Sequence, residues 1–301
     1  MKHILLAFLL AASSGLSTAR ELVTVVFAFG AGDSVANYGR TLVEEANRIQ
    51  DRYQFMFDTK PGAGGTIAAQ HVGKTPNTIL ATSAAFFVRP NVYPKDSHSI
   101  DQYAGLMIQC TAPMAIGSVK YRSWDEVPKD QTVTFGITGL GATSHLVSMQ
   151  IQKRFPKLIL VPFKSPSDAN AALAGGHIDM TVGFLSEFSQ WSGKNNTVKI
   201  NTLGVTGRHA AQRVATLASQ GFEEVENMGN PQQLIVSRLV PAQQQQEWNT
   251  ILTKAALAPE VKRAYEVDAC VPAVNSFKQT QQLFDTQTHF WRKITANVKV
   301  Q

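Results

Sequence analysis

Leu22-Val23-Thr24-Val25-Val26-Phe27-Ala28-Phe29-Gly30-Ala31-Gly32-Asp33-Ser34 runs from a β-branched, apolar stretch through two glycines to a pair of residues able to cap a helix. Val, Thr and Phe suit a pleated strand. Asp33 or Ser34 can accept the free amides of a helix start. In the helix that follows, Val35, Tyr38, Leu42, Ala46 and Ile49 recur at spacings of three and four and make one apolar face. A strand turning tightly into an amphipathic helix is half of a βαβ unit, so this stretch decides for an α/β fold.

The same pattern continues along the chain. Tyr53 to Phe57 alternates as a strand, and the glycine loop Pro61-Gly62-Ala63-Gly64-Gly65 leads to a helix over about 66–74. Strands are predicted over 78–82, 133–137, 158–161, 178–182 and 198–205, with helices over 142–154 and 166–174. These units predict a parallel sheet with helices on both faces. The C-terminal part is helical. Pro241 and Pro259 stand at helix starts, and Phe277, Phe284, Trp291 and Val298 recur every seven residues as a packing face.

The chain has 301 residues, enough for two domains, with 44% hydrophobic and 17% charged residues. Met1-Lys2-His3, the apolar run Ile4 to Ala12 and the small-residue run to Ala19 read as a secretory leader cut near Ala19. Nine apolar residues rise only about 14 Å as a helix, too short for a bilayer. The net charge of +6 becomes +5 without Lys2. Its even spread fits attraction of small anions and gives no support to nucleic-acid binding. Cys110 and Cys270 are far apart; export permits a disulfide, and two buried thiols are the alternative. No Cys/His spacing points to a metal.

Four turns share one design, a strand end, then small or hydroxyl residues, then a helix start: Phe29-Gly30-Ala31-Gly32-Asp33-Ser34, Thr82-Ser83-Ala84, Thr138-Gly139-Leu140-Gly141-Ala142-Thr143-Ser144 and Phe163-Lys164-Ser165-Pro166-Ser167. Helix starts carry free N–H groups and partial positive charge and bind anions. Ligands of open α/β sheets sit beyond the carboxyl ends of strands. The candidate ligand contacts are therefore Phe29, Gly30, Asp33, Ser34, Thr82, Ser83, Thr138, Gly139, Gly141, Ala142, Thr143, Ser144 and Phe163, with Asp168 and Asp179 as acidic candidates near the same ends.

Catalysis finds little support. There is no Gly-x-Ser-x-Gly elbow, His-Glu-x-x-His or Walker lysine, and Ser144 and His145 are neighbours that do not face one another on a helix. Gly30-Ala31-Gly32 with Asp58 imitates a dinucleotide fingerprint, but Val35 stands where the third glycine belongs, and export removes the chain from nicotinamide cofactors. A non-enzymatic protein without cofactor is expected.

Several segments resemble the periplasmic receptors of tripartite tricarboxylate transporters, the Bug proteins. Pro61-Gly62-Ala63-Gly64-Gly65-Thr66-Ile67 matches the family's Pro-Gly-Ala-Gly-Gly segment. Phe135 to Leu146 matches its glycine/serine loop ending in His-Leu, Val161-Pro162-Phe163-Lys164 its Val-Pro-Tyr-Lys, and Ala174 to Met180 its Gly-Gly-x-Val-Asp-Met strand. The stretch from Leu203 to Gly221, Leu257 to Val261 and the terminal helix with Trp291 also fit. The resemblance implies a two-lobed periplasmic binding protein, a type II-like Venus flytrap with a central cleft. Residues 20–112 and 230–301 would form the first lobe and 113–229 the second, after a leader over 1–19. It further implies a monomer that captures a small carboxylate for the membrane subunits of a tripartite tricarboxylate-type transporter, or feeds a sensor ectodomain.

The departures bear on the ligand. The first loop lacks the family's prolines, Ala142 stands where Ser is common, and Ser165-Pro166-Ser167-Asp168 replaces a Gly-Ser-x-Pro-like turn. Phe86-Phe87 replaces smaller or polar residues, from which a pocket with one apolar side is expected.

Overall fold

The computed structural model describes residues 19–28, 30–31, 34–138, 142–192, 198–207 and 214–296, without the side chain of Ser34. Residues 1–18 of the expected leader lie outside the described residues.

Two sheets organise the chain. The first takes its strands from both ends of the sequence: β1 (Glu21–Phe27), β2 (Tyr53–Thr59), β3 (Thr78–Thr82), β4 (Tyr103–Ala112), and the later segments Asn230–Ser237 and Val271–Pro272. The second is built from the middle: β5 (Ala115–Ser118), β6 (Val133–Ile137), β7 (Leu158–Pro162), β8 (Met180–Gly183) and β9 (Asn201–Val205), in the order β7-β6-β8-β5-β9. With the late segments numbered β10 (Asn230–Ser237) and β11 (Val271–Pro272), the first sheet reads β11-β4-β10-β3-β1-β2. Between the strands lie α1 (Ser34–Arg48), α2 (Thr66–Val72), α3 (Ala85–Val92), α4 (Thr143–Arg154), α5 (Pro166–Ala174) and α6 (Leu185–Trp191). The C-terminal helices are α7 (Ala242–Ala256), α8 (Pro259–Glu266) and α9 (Phe277–Thr295).

The sheets are mixed, which corrects the expectation of a parallel sheet. β1 pairs parallel with β2 and β3, and β6 with β7 and β8. β10 lies antiparallel to both β3 and β4, and β5 antiparallel to β8 and β9. The reason is connectivity. The chain leaves the first sheet at Ala112 and starts β5 at Ala115, opposite Gly183 at the end of β8. A strand entering a sheet at the carboxyl edge of its neighbours can only run backwards; β10 enters the first sheet in the same way.

Neither β4 nor β10 is legible by period. β4 is buried at nearly every residue and has no alternation. β10 carries Pro231, Gln232 and Gln233 and is nonetheless buried throughout.

The core follows the amphipathic faces. Tyr38, Leu42 and Ala46 of α1 are buried on the first sheet, and Phe284 and Trp291 of α9 are buried on its other cluster. One apolar cluster runs without a break from Phe27, Tyr38 and Tyr265 to Val147, Met180 and Val182 of the second sheet. Cys110 of β4 and Cys270, just before β11, are joined as a disulfide with Cα atoms 5.4 Å apart.

Gly39 lets α1 approach β1. A Cβ there would lie 1.6 Å from the ring of Phe27, itself fully buried and stacked on Phe57 at 4.6 Å. Gly39→Ala is expected to lower the unfolding free energy by about 1–3 kcal/mol through overpacking, read as a lower urea midpoint with unchanged m.

Candidate functional site

β1, β2 and β3 end on one edge of the first sheet, and the parallel strands β6, β7 and β8 end on one edge of the second. The loops leaving these ends converge. Leu146, three residues past Thr143 on α4, packs in the same buried cluster as Ala28 after β1 and Ala84 before α3. The helix that starts at the second sheet's loop thus lies against the first sheet's loops.

In the first loop, Phe29 and Asp33 lie outside the described residues, as does the side chain of Ser34. Gly30 is half-buried. Arg40, one turn further into α1 than the apolar face suggests, reaches back to this loop. Its Nη2 donates to the Ala31 carbonyl at 2.6 Å, and its guanidinium stacks 4.6 Å above Phe57. No motif pointed to Arg40; its place depends on α1 folding back beside its own loop.

Gly65 seats the glycine loop at the same edge. Its φ of +91° is left-handed, and a Cβ there would lie 3.2 Å from Ala28 and 3.7 Å from the Thr82 hydroxyl. The last glycine of the Pro-Gly-Ala-Gly-Gly segment therefore packs closely against the first and second loops, a placement its sequence motif alone did not assign.

In the second loop Thr82 and Ser83 are buried. The Ser83 hydroxyl accepts from the Ala85 amide at 3.4 Å, and the Ala84 amide donates to Asn230 Oδ1 at 3.3 Å. Asn230, the first residue of β10, thus takes up the N–H of the residue that precedes α3. The Thr82 hydroxyl has no protein partner among the described residues.

In the third loop Gly139 and Gly141 lie outside the described residues. The Ser144 hydroxyl turns inward: it accepts from the Thr138 amide at 3.0 Å and meets the Thr138 hydroxyl at 2.9 Å. It pins the loop's two ends together. Ala142 precedes α4 with extended backbone and offers no capping oxygen. Thr143 is buried, and its hydroxyl has no protein partner among the described residues. Burial lowers the pKa of His145, which favours a neutral ring beside this loop.

In the fourth loop the Phe163 amide donates to the Ile137 carbonyl at 2.8 Å, and the Phe163 ring covers Gly136. Ser165 caps α5 by accepting from the Asp168 amide at 3.1 Å, while Asp168 itself is exposed in the first turn of the helix.

Two expectations are corrected. Asp179 precedes β8 and lies at the opposite end of the second sheet. It accepts from the amide and hydroxyl of Thr134, both at 2.9 Å, and from Lys120 at 3.0 Å. Thr134 is four residues before Thr138, roughly 13 Å along the strand. Burial alone would raise the Asp179 pKa, but the Thr134 amide, the Lys120 ammonium and the Thr134 hydroxyl outweigh it and hold the carboxyl low. Its role is to tie β6, β8 and the segment after β5 together. Phe86 and Phe87 line no pocket wall: both are buried, edge-on to Phe284 or Tyr103, and Phe86 stacks on His98 at 4.4 Å. The expectation of an apolar-sided pocket loses its basis.

Among the described residues no group of three or more His, Cys, Asp or Glu could hold a metal ion, and no helix is long and apolar enough to cross a membrane. The model of the tripartite tricarboxylate transporter receptor family matches residues 41–300. The chain belongs to this family. Its members are periplasmic solute-binding proteins of the Bug type. A UPF0065 protein of Bordetella bronchiseptica is 23% identical over 270 residues, which cover 86% of this chain and 75% of the relative. A protein of R. palustris solved with adipate is similar in fold, with a TM-score of 0.77, 20% identity and coverage of 94% of this chain and 99% of that one. MatC of Rhodopseudomonas palustris, solved with bound malate, gives a TM-score of 0.74 at 16% identity, covering 91% of this receptor and 99% of that chain. The two-lobed periplasmic-binding-protein fold with a cleft between the lobes is shared across these structures.

Proposed function

We propose that this receptor captures a small carboxylate in the cleft between its sheets and delivers it to the membrane subunits of a tripartite tricarboxylate-type transporter. The carrying observation is a pair of largely buried threonines whose hydroxyls have no protein partner among the described residues and stay accessible, Thr82 from the first sheet and Thr143 from the second, at loop ends that share one packed cluster. Hydroxyls and helix-start amides suit an anion that arrives with its own charge. The lobes run over 20–112 with 230–301 and over 113–229, and the leader is cut near Ala19 for release into the periplasm. The adipate and malate found with proteins of this fold make dicarboxylates the first ligands to try.

A thermal-shift screen of residues 20–301, after unfolding and refolding to strip carried ligand, tests the reading. Binding to the folded state alone adds about 2.7 kcal/mol at a hundredfold excess over Kd. A shift with one acid and none with its amide supports the proposal. No shift with any mono-, di- or tricarboxylate sinks it. Thr143→Ala and Thr82→Ala are each expected to weaken the confirmed acid about tenfold by loss of one charge-assisted hydrogen bond. Ser144→Ala, which frees the Thr138 amide, should act through loop order and lower stability as well. Calorimetric titration of the three variants separates these effects.

A further inference from the structure

Asp268 is fully buried between the two sheets, in the turn that follows α8. One carboxylate oxygen accepts from the Tyr38 hydroxyl of α1, within the first sheet's own layer. The other accepts from the Ser186 amide at 3.1 Å, in the first turn of α6 on the second sheet. The turn itself is firmly held. Ala269 adopts a positive φ of 50°, the Asp268 and Cys270 amides both donate to the Tyr265 carbonyl, and Cys270 is bonded to β4.

We infer that Asp268 is the positioning residue that sets the angle between the sheets, and with it the closed form of the cleft. A carboxylate taken out of water must be met by donors. Here one donor belongs to each side, so full pairing exists only while the start of α6 stays at the turn that follows α8. The surrounding contacts are apolar: Tyr38, Tyr265 and Cys270 on one side and Val182 and Phe184 on the other belong to one cluster. Apolar contact holds two surfaces together but tolerates sliding, whereas a hydrogen bond to a single amide fixes position. The Ser186 amide also lies in the turn where a helix leaves its N–H groups without internal partners, so Asp268 satisfies a donor that lobe opening would return to water. Two segments carry the chain between the sheets, after Ala112 and before Asn230, which leaves hinge motion available. Asp268 touches no candidate ligand contact. It acts through the population of the closed form, which scales the apparent affinity.

The inference rests on the cleft reading for its affinity readout only; the shape readout stands alone. Ser186→Pro deletes the cross-lobe donor at the second position of α6, within the first turn, whose N–H groups have no intrahelical partner. Asp268→Asn removes the charge. Tyr38→Phe removes the hydroxyl that bonds Asp268 within the first lobe and leaves the Ser186 amide in place. In small-angle scattering of the ligand-free proteins, Ser186→Pro and Asp268→Asn are expected to raise the radius of gyration, while Tyr38→Phe keeps it and lowers the melting temperature. Both cross-lobe variants should bind adipate or malate about tenfold more weakly. Hydrogen exchange on the wild-type protein needs no variant: the Ser186 amide should be protected, and more so with bound acid. A folded Ser186→Pro with wild-type radius and affinity, or a Ser186 amide exchanging as a free helix-start amide, overturns the inference. Wild-type protein that binds no acid defeats the carboxylate reading instead, and leaves the radius and exchange measurements to decide this one.

Discussion

Replacing Cys110 and Cys270 with serine is expected to lower the unfolding free energy by about 3–5 kcal/mol. The bond closes a loop with a sequence separation of 160 residues that contains the whole second sheet. Chain-entropy arithmetic for that length gives about 5 kcal/mol, and measured values for native disulfides run somewhat below such figures. The local structure adds to the effect. β11 has only two residues, Val271 and Pro272, paired to the edge of β4 at Thr111 and Cys110, and both are exposed. A two-residue edge pairing is weak without its covalent anchor. At roughly 2–4 °C per kcal/mol for a domain of 150–250 residues, the melting temperature should fall by about 6–20 °C. Scanning calorimetry of the double-serine variant and of reduced wild-type protein should give the same loss. An unchanged melting temperature in both would mean that packing alone holds the turn.

Acidification from pH 6.5 towards 4 is expected to remove up to about 3 kcal/mol through His98 alone. This ring is buried, stacked on Phe86 at 4.4 Å and edge-on to Tyr103 at 5.9 Å, with Nε2 3.0 Å from the Phe86 carbonyl. Burial is the main cause that pushes its pKa down to about 4; the Phe86 carbonyl opposes the shift and the Arg89 guanidinium adds to it. Nδ1 is buried without a partner, so a second N–H there would have nowhere to donate. The folded pKa lies below the unfolded value of 6.5, so the unfolded chain binds the proton first. The stability is complete above pH 6.5, declines as the pH falls, and is fully lost near pH 4. The difference in pKa at about 1.4 kcal/mol per unit sets the upper figure. His145, also lowered by burial, contributes with the same sign. Asp179, held low, loses its contribution only at lower pH, as its carboxyl takes up a proton. Urea titrations at pH 7, 6, 5 and 4.5 should show the decline in wild-type protein and a shallower one in His98→Phe. Equal slopes would assign the acid limb to other groups.

The helices were the most legible part of the fold. The spacing of Val35, Tyr38, Leu42 and Ala46 and the run from Phe277 to Trp291 gave α1 and α9 their faces, because a periodic pattern over many residues has few structural alternatives. The proline starts of α5 and α8 were equally clear. β4 and β10 were not, since strands buried on both faces lose alternation, and a proline among glutamines argues against a strand unless its neighbours are known.

The site was legible as loop positions and much less so as roles. Thr82 and Thr143 were singled out by the rule that hydroxyls at strand-to-helix turns face the ligand edge, and both hydroxyls are without a protein partner among the described residues. Ser144 was found by the same rule and turns inward to Thr138, because one hydroxyl can serve either a ligand or its own loop. Asp179 was misplaced because sequence does not say which end of a strand its first residue faces; register against Thr134 does. Phe86 and Phe87 were read as pocket residues because they replace smaller or polar residues of the family pattern after the second loop, while their partners Tyr103 and Phe284 come from segments that only folding brings near.

By itself the sequence determined the βαβ grammar, the amphipathic faces, the glycine loop and the family, all of which depend on residues close together along the chain. Only the tertiary structure decided the rest: the direction of β10 and β5, the Cys110–Cys270 pairing, the placing of Arg40 and Asn230 at the cleft loops, and the Asp268 bridge from Tyr38 to Ser186. The physical reason is the same in each case. Local propensity is a property of neighbouring residues, whereas a hydrogen bond, a disulfide or a strand pairing across a hundred residues or more, or a side chain folding back on its own loop, exists only once the chain's path has brought the partners together.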